Sequence, residues 1–300
     1  MAVINSSREN GTGSQEVEGA GNGRVDARYG LHQIVIQQPY QNFRVATLNI
    51  GTMRGRSGEV VETVARRAVD VCCLQEVRWR GKGTRMISGK DCKYKFFWSG
   101  NQMGTGGVGI LVHEKWSEKV VDVVRATDQI MLLKLVVGDV IVTFLSVYAP
   151  QVGLEDSIKE RFYDELIDVV TKLGESEIVI PCGDWNGHIG RRAMGYEGVH
   201  GGFGYGVRNT GERLLEYADA TDSVICNSYF KKKDNHLVTY ESGPYRSQID
   251  FILVKKRDRK LVKNATVING EECAMQHKLL VCDLRLRAAR VTKHKFVPKL

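Results

Sequence analysis

From Phe43 onward the chain is written in short apolar runs rich in β-branched residues, ten of them and four to eight residues long, and this rhythm constrains the fold more than any other feature. The runs are Arg44 to Ile50, Val71 to Leu74, Tyr94 to Trp98, Val108 to Val112, Ile130 to Val137, Val140 to Val147, Ile178 to Cys182, Ser223 to Cys226, Ile249 to Val254 and Leu279 to Leu286. Each is too short for a helix and long enough for a buried strand. Only Gly138 and Asp139 separate two of them, a link suited to a tight hairpin turn, so antiparallel pairing is expected. Three helical patterns lie between the runs. The clearest covers Ser157 to Leu173, with Ile158, Phe162, Leu166, Val169 and Leu173 on one face, Asp156 as its N-cap and Gly174 after it. The others cover Glu59 to Ala68 and Gly211 to Ala220. Strands in this number with a few helices predict an α/β fold: two packed, mostly antiparallel sheets flanked by helices, a four-layer α/β sandwich.

The rhythm also sets the domain limits. Residues 1–33 are rich in Gly, Ser, Asn and Glu without apolar periodicity and read as a disordered lead; 43–286 form one domain; 287–300 are a basic tail expected to fray. No stretch reaches the roughly 18 to 20 apolar residues that span a bilayer, and no charged segment followed by an apolar run opens the chain. No membrane partner is expected, and the location is read as intracellular, nucleus or cytoplasm. Seven scattered cysteines, an odd number mostly inside apolar runs, fit a reducing compartment. Cys273, His277 and Cys282 lack a paired Cys-x-x-Cys, so zinc is not expected. A net charge of +8 favours a polyanionic partner, with nucleic acid first and DNA the specific expectation, met by a monomer.

Chemistry-bearing residues sit where these runs end. Asn49 closes the first, Glu76 follows Val71 to Gln75, and Tyr148 precedes Ala149-Pro150. Asp184 and Asn186 follow Ile178 to Gly183, Asp250 lies in Ser247 to Leu253, and His277 precedes Lys278 to Val281. Singly, each has an ordinary reading: Asn49 a turn former, Glu76 a surface ion-pair partner, His277 a satisfied structural histidine, Tyr148 a packed strand end. Asp184-Trp185-Asn186 is harder to explain by turn propensity. Ten glycines between Gly183 and Gly211 read as a flexible loop or as a mobile edge where a phosphate backbone approaches.

In order and context these motifs resemble the exonuclease/endonuclease/phosphatase superfamily, over roughly Phe43 to Leu286. Within it, Arg208 to Leu215 and Thr239-Tyr240 leading into Gln248-Ile249-Asp250 look like the apurinic-type endonuclease domain of non-LTR retrotransposons. The resemblance implies a DNase I-like fold and a metal-dependent endonuclease that nicks double-stranded DNA, retrotransposon-derived. It implies that Glu76 and Asn49 hold Mg²⁺, with Mn²⁺ as the alternative. Asp184 orients or deprotonates the attacking water, Asn186 binds that water or a phosphate oxygen, Tyr148 donates to the phosphate, and Asp250 orients His277 against it. Whether Asp184 or His277 takes the proton stays open.

Two positions depart from the pattern: Gln276 stands where many members carry Asp before the histidine, and Gly51 where apurinic endonucleases often place a second acidic residue. The loss at Gln276 is expected to weaken activity by roughly 10- to 100-fold. Asn209, Thr239, Lys231, Lys232 and Lys233 are candidate substrate-binding residues, with His188 and His200 as weaker ones; by default the lysines are solvated charge on a loop tip. Two alternatives follow: a phosphatase acting on a small phosphorylated head group, or a catalytically silent DNA-binding remnant of which Gln276 is the first sign.

Overall fold

A computed structural model of the chain describes residues 40–209, 212–271 and 273–288 in full, and the backbone of three further strands. In chain order the strands are β1 (Val25–Asp26), β2 (Leu31–Ile36), β3 (Gln41–Asn49), β4 (Val71–Gln75), β5 (Lys82–Ser88), β6 (Lys93–Ser99), β7 (Val108–His113), β8 (Val120–Arg125) and β9 (Ile130–Val137). They continue with β10 (Val140–Tyr148), β11 (Ile178–Asp184), β12 (Ser223–Ile225), β13 (Tyr240–Ser242), β14 (Tyr245–Ser247), β15 (Asp250–Lys255), β16 (Val262–Val267), β17 (Leu280–Leu286) and β18 (Val291–Phe296). The helices are α1 (Ser57–Arg66), the single turn α2 (Glu114–Ser117), α3 (Asp156–Thr171) and α4 (Glu212–Ala220).

Pro39–Ala289 is one compact unit. It holds a seven-stranded sheet, β16-β17-β3-β4-β7-β6-β5, and a six-stranded sheet, β12-β15-β11-β10-β9-β8. Their inner faces share one apolar core, in which Phe43 of β3 stacks on Phe144 of β10 at 5.6 Å between ring centres. Val60, Val61 and Val64 of α1 bury against the outer face of the first sheet, and Phe162, Leu166, Leu214 and Leu215 of α3 and α4 against that of the second. Four layers result, the α/β sandwich expected from the sequence. The hairpin forms as read: Val137 pairs with Val140 around Gly138, whose φ of +67° is open to glycine at little cost. α3 begins one residue earlier than expected, with Glu155 rather than Asp156 in the N-cap place.

Two parallel pairings place the site. β3 runs parallel to β4 and brings Asn49 level with Gln75; β10 runs parallel to β11 and brings Tyr148 level with Asp184. The neighbours β15 and β17 run antiparallel, so Asp250 begins its strand opposite Asp184, and Leu280 begins its own opposite Thr47, three residues after His277. Six polar positions scattered over more than two hundred residues thereby reach one edge of the sandwich. Beneath that edge a buried chain ties the sheets together: the Thr47 hydroxyl donates to Gln75 Oε1, Gln75 Nε2 to Ser146 Oγ, and Ser146 Oγ to the Leu74 carbonyl.

Within this unit the strands outside the ten runs end a sheet or form the small β13–β14 pair. β5 (Lys-Gly-Thr-Arg-Met-Ile-Ser) and β8 (Val-Val-Asp-Val-Val-Arg) lie at sheet edges; β5 is mostly exposed and lacks an apolar signature, whereas the four valines of β8 were a usable signal that the ten runs left out. A second small unit contains β1, β2 and β18; Val291–Phe296 pairs antiparallel with Leu31–Ile36, where the sequence suggested a disordered lead and a frayed tail. Leu-His-Gln-Ile-Val-Ile offers β-branched residues for such pairing. The remainder of the expected lead, 1–24 and 27–30, lies outside the described residues. Among the described residues no helix is long and apolar enough to cross a membrane. All seven cysteines are free, six of them buried.

Candidate active site

The residues at this edge form a deep half and an open half. In the deep half, His277 Nδ1 lies 3.0 Å from Asp250 Oδ2 and His277 Nε2 lies 3.7 Å from Asp184 Oδ2. Asp184 and Asp250 are 2% and 0% exposed. Asp250 is fixed from behind: the Thr239 hydroxyl accepts the backbone N–H groups of Ile249 and Asp250, and Asn227 Nδ2 donates to the Asp250 carbonyl. A short antiparallel contact of Tyr240 with His277, the two rings edge to face at 4.9 Å, fixes the imidazole plane. Asp184 Oδ1 accepts the N–H of Asn186, whose side chain donates to the Ala149 carbonyl. Trp185, between them, points inward and bonds the Phe251 carbonyl, so Asp184 and Asn186 are left on the cleft side.

The open half centres on Glu76. Its Oε1 accepts from Asn49 Nδ2 and from the Tyr148 hydroxyl, both at 3.0 Å, and its Oε2 accepts from Arg78 at 2.6 Å. Asn49 joins the halves, because its Nδ2 also donates to Asp184 Oδ2 at 3.0 Å while its Oδ1 accepts the N–H of Gly51. Three site residues other than glycine have left-handed backbones, Glu76 at φ +52°, Arg78 at +51° and Asn186 at +49°, strain of the kind that packing must over-determine. Two adjoining recesses, of about 410 and 420 Å³, share Glu76, Tyr148, Gln151, Gln276 and His277.

Charge follows this division. Burial pushes the Asp184 carboxyl up, and the neighbouring Asp250 adds to the effect, bringing it to about 7 despite His277 and two hydrogen bonds. For His277, burial alone would lower the pKa, but the charge and hydrogen bond of Asp250, with Asp184 and Glu76 beyond, raise it to about 9. Burial would raise Glu76; its bonds from Asn49, Arg78 and Tyr148 outweigh that and hold it below the ordinary carboxylate range. Burial, then the Glu76 and Asp184 charges, push the Tyr148 hydroxyl up, so it remains a donor at neutral pH.

A hard divalent cation fits these donors. Glu76 brings carboxylate oxygens beside the Asn49 amide in the half-open part of the cleft, the hard oxygen donors such an ion takes. For Asn49 to offer its amide oxygen, the amide must turn over, since its nitrogen faces the carboxylates.

Other candidates from the sequence fall elsewhere. Thr239 is fully buried and serves the backbone ahead of Asp250, which corrects its reading as a substrate residue. Asn209 accepts the N–H of His188 through Oδ1 and so closes the base of the glycine-rich loop. Lys232 Nζ bonds Asn264, which pairs through Asp283 to Arg44, five positions before Asn49; at ~3.3 Å per residue this is roughly 16 Å from the site end of β3. Lys231 and Lys233 flank it on the surface, so the lysine cluster is not at the cleft. His200 is a satisfied structural histidine, its ring nitrogens engaged with Gly190 and Gly202, while His188 lines the deeper recess. Sequence reasoning missed Tyr240, Asn227 and Arg78, though the closeness of Arg78 to Glu76 along the chain was a usable signal.

The class to which this fold belongs is shown by the match of residues 46–272 to the Endonuclease/Exonuclease/phosphatase family, and the chain belongs to it. Over 263 residues it is 27% identical to craniofacial development protein 2 of Bos taurus, covering 86% of this chain and 43% of the relative, so it spans less than half the length of that curated protein. Among solved structures it resembles the endonuclease domain of TRAS1, a telomere-specific non-LTR retrotransposon, at TM-score 0.57 and 18% identity, over 82% of this chain and 99% of that one. It also resembles the AP endonuclease LMAP from Leishmania major, at TM-score 0.59 and 12% identity, over 82% and 88%. At these identities the two structures speak for the fold alone.

Proposed function

We propose that the chain is a Mg²⁺-dependent endonuclease that nicks double-stranded DNA, with Asp184 as the proton acceptor and His277 as a phosphate-facing cation. The observation that carries the reading is the line Asp250, His277, Asp184, which ends beside Glu76, Asn49 and Tyr148 in one open cleft. His277 Nδ1 bonds Asp250 and its Nε2 faces the Asp184 carboxylate at 3.7 Å, charges that favour the doubly protonated ring, and such a ring cannot accept a further proton. Asp184, buried and lifted towards neutrality, can accept one. Asn186 steadies the water against Asp184 from the loop side. Tyr148 donates its hydroxyl to a non-bridging phosphate oxygen, and His277 stabilises the charge that builds on the phosphate during in-line displacement. Glu76 and, once its amide has turned, Asn49 would hold Mg²⁺, which when bound would supply Lewis-acid stabilisation of the developing charge.

Gln276 does not belong to this line. It is exposed and its amide donates to Ser242 Oγ at 3.1 Å, which supports an active enzyme over a silent remnant. The test is conversion of supercoiled plasmid to open circles with Mg²⁺, for the native chain beside Asp184→Ala and His277→Ala, with a chelator control and a small phosphomonoester in parallel. Nicking lost in both variants and in chelator is expected. DNA retardation without nicking would replace the endonuclease by the binding remnant, and phosphate release from the monoester alone would replace it by the phosphatase.

A further inference from the structure

Beyond Arg78 the surface opens into a third recess, of about 380 Å³, lined by Arg54, Arg78, Trp79, Arg80 and Trp98. No acidic residue lines it, and of its three arginines Arg78 is the one that ion-pairs with a carboxylate among the described residues, that of Glu76. Three guanidinium groups so close repel one another unless an anion joins them. The rings are equally fixed: Trp79 and Trp98 meet edge to face at 4.9 Å, Trp98 stacks on Phe96, and the Trp98 indole N–H reaches the Arg80 carbonyl at 3.3 Å.

Glycines make room for this arrangement. A Cβ at Gly83 would overlap the Trp98 ring lying across β5, and Gly104, at φ +69°, lies where a Cβ would meet the Arg54 guanidinium and the Arg80 side chain. Arg54 is braced by the carbonyls of Arg78 and Gly104, at 2.7 and 3.1 Å, so its charge is held at the recess. Partly exposed indoles beside Arg54 and Arg80, which have no carboxylate partner among the described residues, are the chemistry of single-stranded nucleic-acid recognition, in which a base stacks on a ring and its phosphate meets an arginine.

The geometry points to a nucleotide subsite: the recess takes one unpaired nucleotide flanking the scissile phosphate, its base against Trp98 and its phosphate between Arg54 and Arg80. The inference rests on the endonuclease reading for the position of that phosphate, but the subsite can be tested apart from it. Through Arg78, which touches both Glu76 and the recess, the subsite adjoins the open half of the cleft. DNA that is frayed or mismatched beside the cut should then be preferred to fully paired DNA.

Binding is measured in chelator by fluorescence anisotropy of a short labelled oligothymidylate, with polyphosphate of matching charge as competitor. The native chain should favour the oligothymidylate, and Trp98→Leu should erase that advantage by about fivefold to a hundredfold, the range of one base–aromatic stack. Arg80→Ala alters an exposed side chain outside the core, so it serves if Trp98→Leu fails to fold; it should weaken oligothymidylate binding and lower the salt slope by about one. Equal affinity for oligothymidylate and polyphosphate in the native chain, or native affinity in Arg80→Ala, overturns the subsite. Selective oligothymidylate binding by a chain that nicks no plasmid keeps the subsite and removes the endonuclease reading; nicking without selectivity does the reverse.

Discussion

The two halves of the site are built on opposite physical principles. Asp184, Asp250 and His277 are taken out of water, and their protonation is set by one another. Glu76 is half-exposed, and its charge is held down by donors that a cation could displace or join: an amide, a phenol and a guanidinium. Burial makes the deep half sensitive to any change of charge, because an unpaired buried ion has little water to fall back on. The open half can trade partners, so changes there should alter what binds more than whether chemistry occurs. Among the described residues, Asn49 is the one side chain bonded to both.

The deepest break comes from Asp184→Asn, which keeps the shape and removes the proposed proton acceptor. Nicking should fall by about 10²- to 10⁴-fold, the usual worth of a general base, with metal dependence unchanged. Plasmid nicking rates read this, and native-like activity would move the acceptor role away from Asp184. In the open half, Glu76→Gln should retain much of its rate at saturating Mg²⁺ but need about 10- to 100-fold more metal. A metal titration of the nicking rate decides it: an unchanged midpoint would remove Glu76 from the cation site and collapse the contrast between the halves.

The deep half should also appear in stability. With a chelator present, both raised groups act in the same direction: a pKa higher in the fold than in the unfolded chain contributes stability that is complete at low pH and lost as pH rises through the folded value. For Asp184 the loss runs from about 3.8 to about 7, and for His277 from about 6.5 to about 9. Melting temperature should therefore fall as pH rises from about 6.5 to about 9, and His277→Gln should flatten that upper segment. A native chain whose melting temperature rises over this window would contradict the pairing of His277 with two carboxylates.

How much of this was legible in the sequence follows the same division. Strands buried on both faces, such as Val71–Gln75 and Ile178–Asp184, announce themselves as apolar runs, and each ends on or beside a site residue. Their parallel pairing is invisible to periodicity, yet it is what sets Asn49 beside Glu76 and Tyr148 beside Asp184. Resemblance supplied the grouping that local pattern could not. Thr239 was misread because a threonine beside a motif looks alike whether its hydroxyl faces substrate or accepts two backbone N–H groups. The place of the lysines was equally hidden, because charge along a chain does not say on which edge of a sandwich it will lie, and Trp79 and Trp98 lie 19 positions apart in sequence and touch only through the β5–β6 pairing.

The smallest effect is expected at Gln276, although the sequence alone suggested a large one. Its side chain is exposed, is satisfied by Ser242, and borders both recesses without touching His277 or Glu76 in the hydrogen-bond network. A carboxylate placed there by Gln276→Asp would interact through water-rich space, where an exposed ion pair contributes about 0 to 1 kcal/mol. The metal midpoint should therefore improve by no more than about fivefold, with the maximal nicking rate unaltered. The same titration that tests Glu76 reads this variant. A gain of tenfold or more would mean that Gln276 swings from Ser242 to the cation during turnover, which would make the rim segment Met275-Gln276 part of the open half.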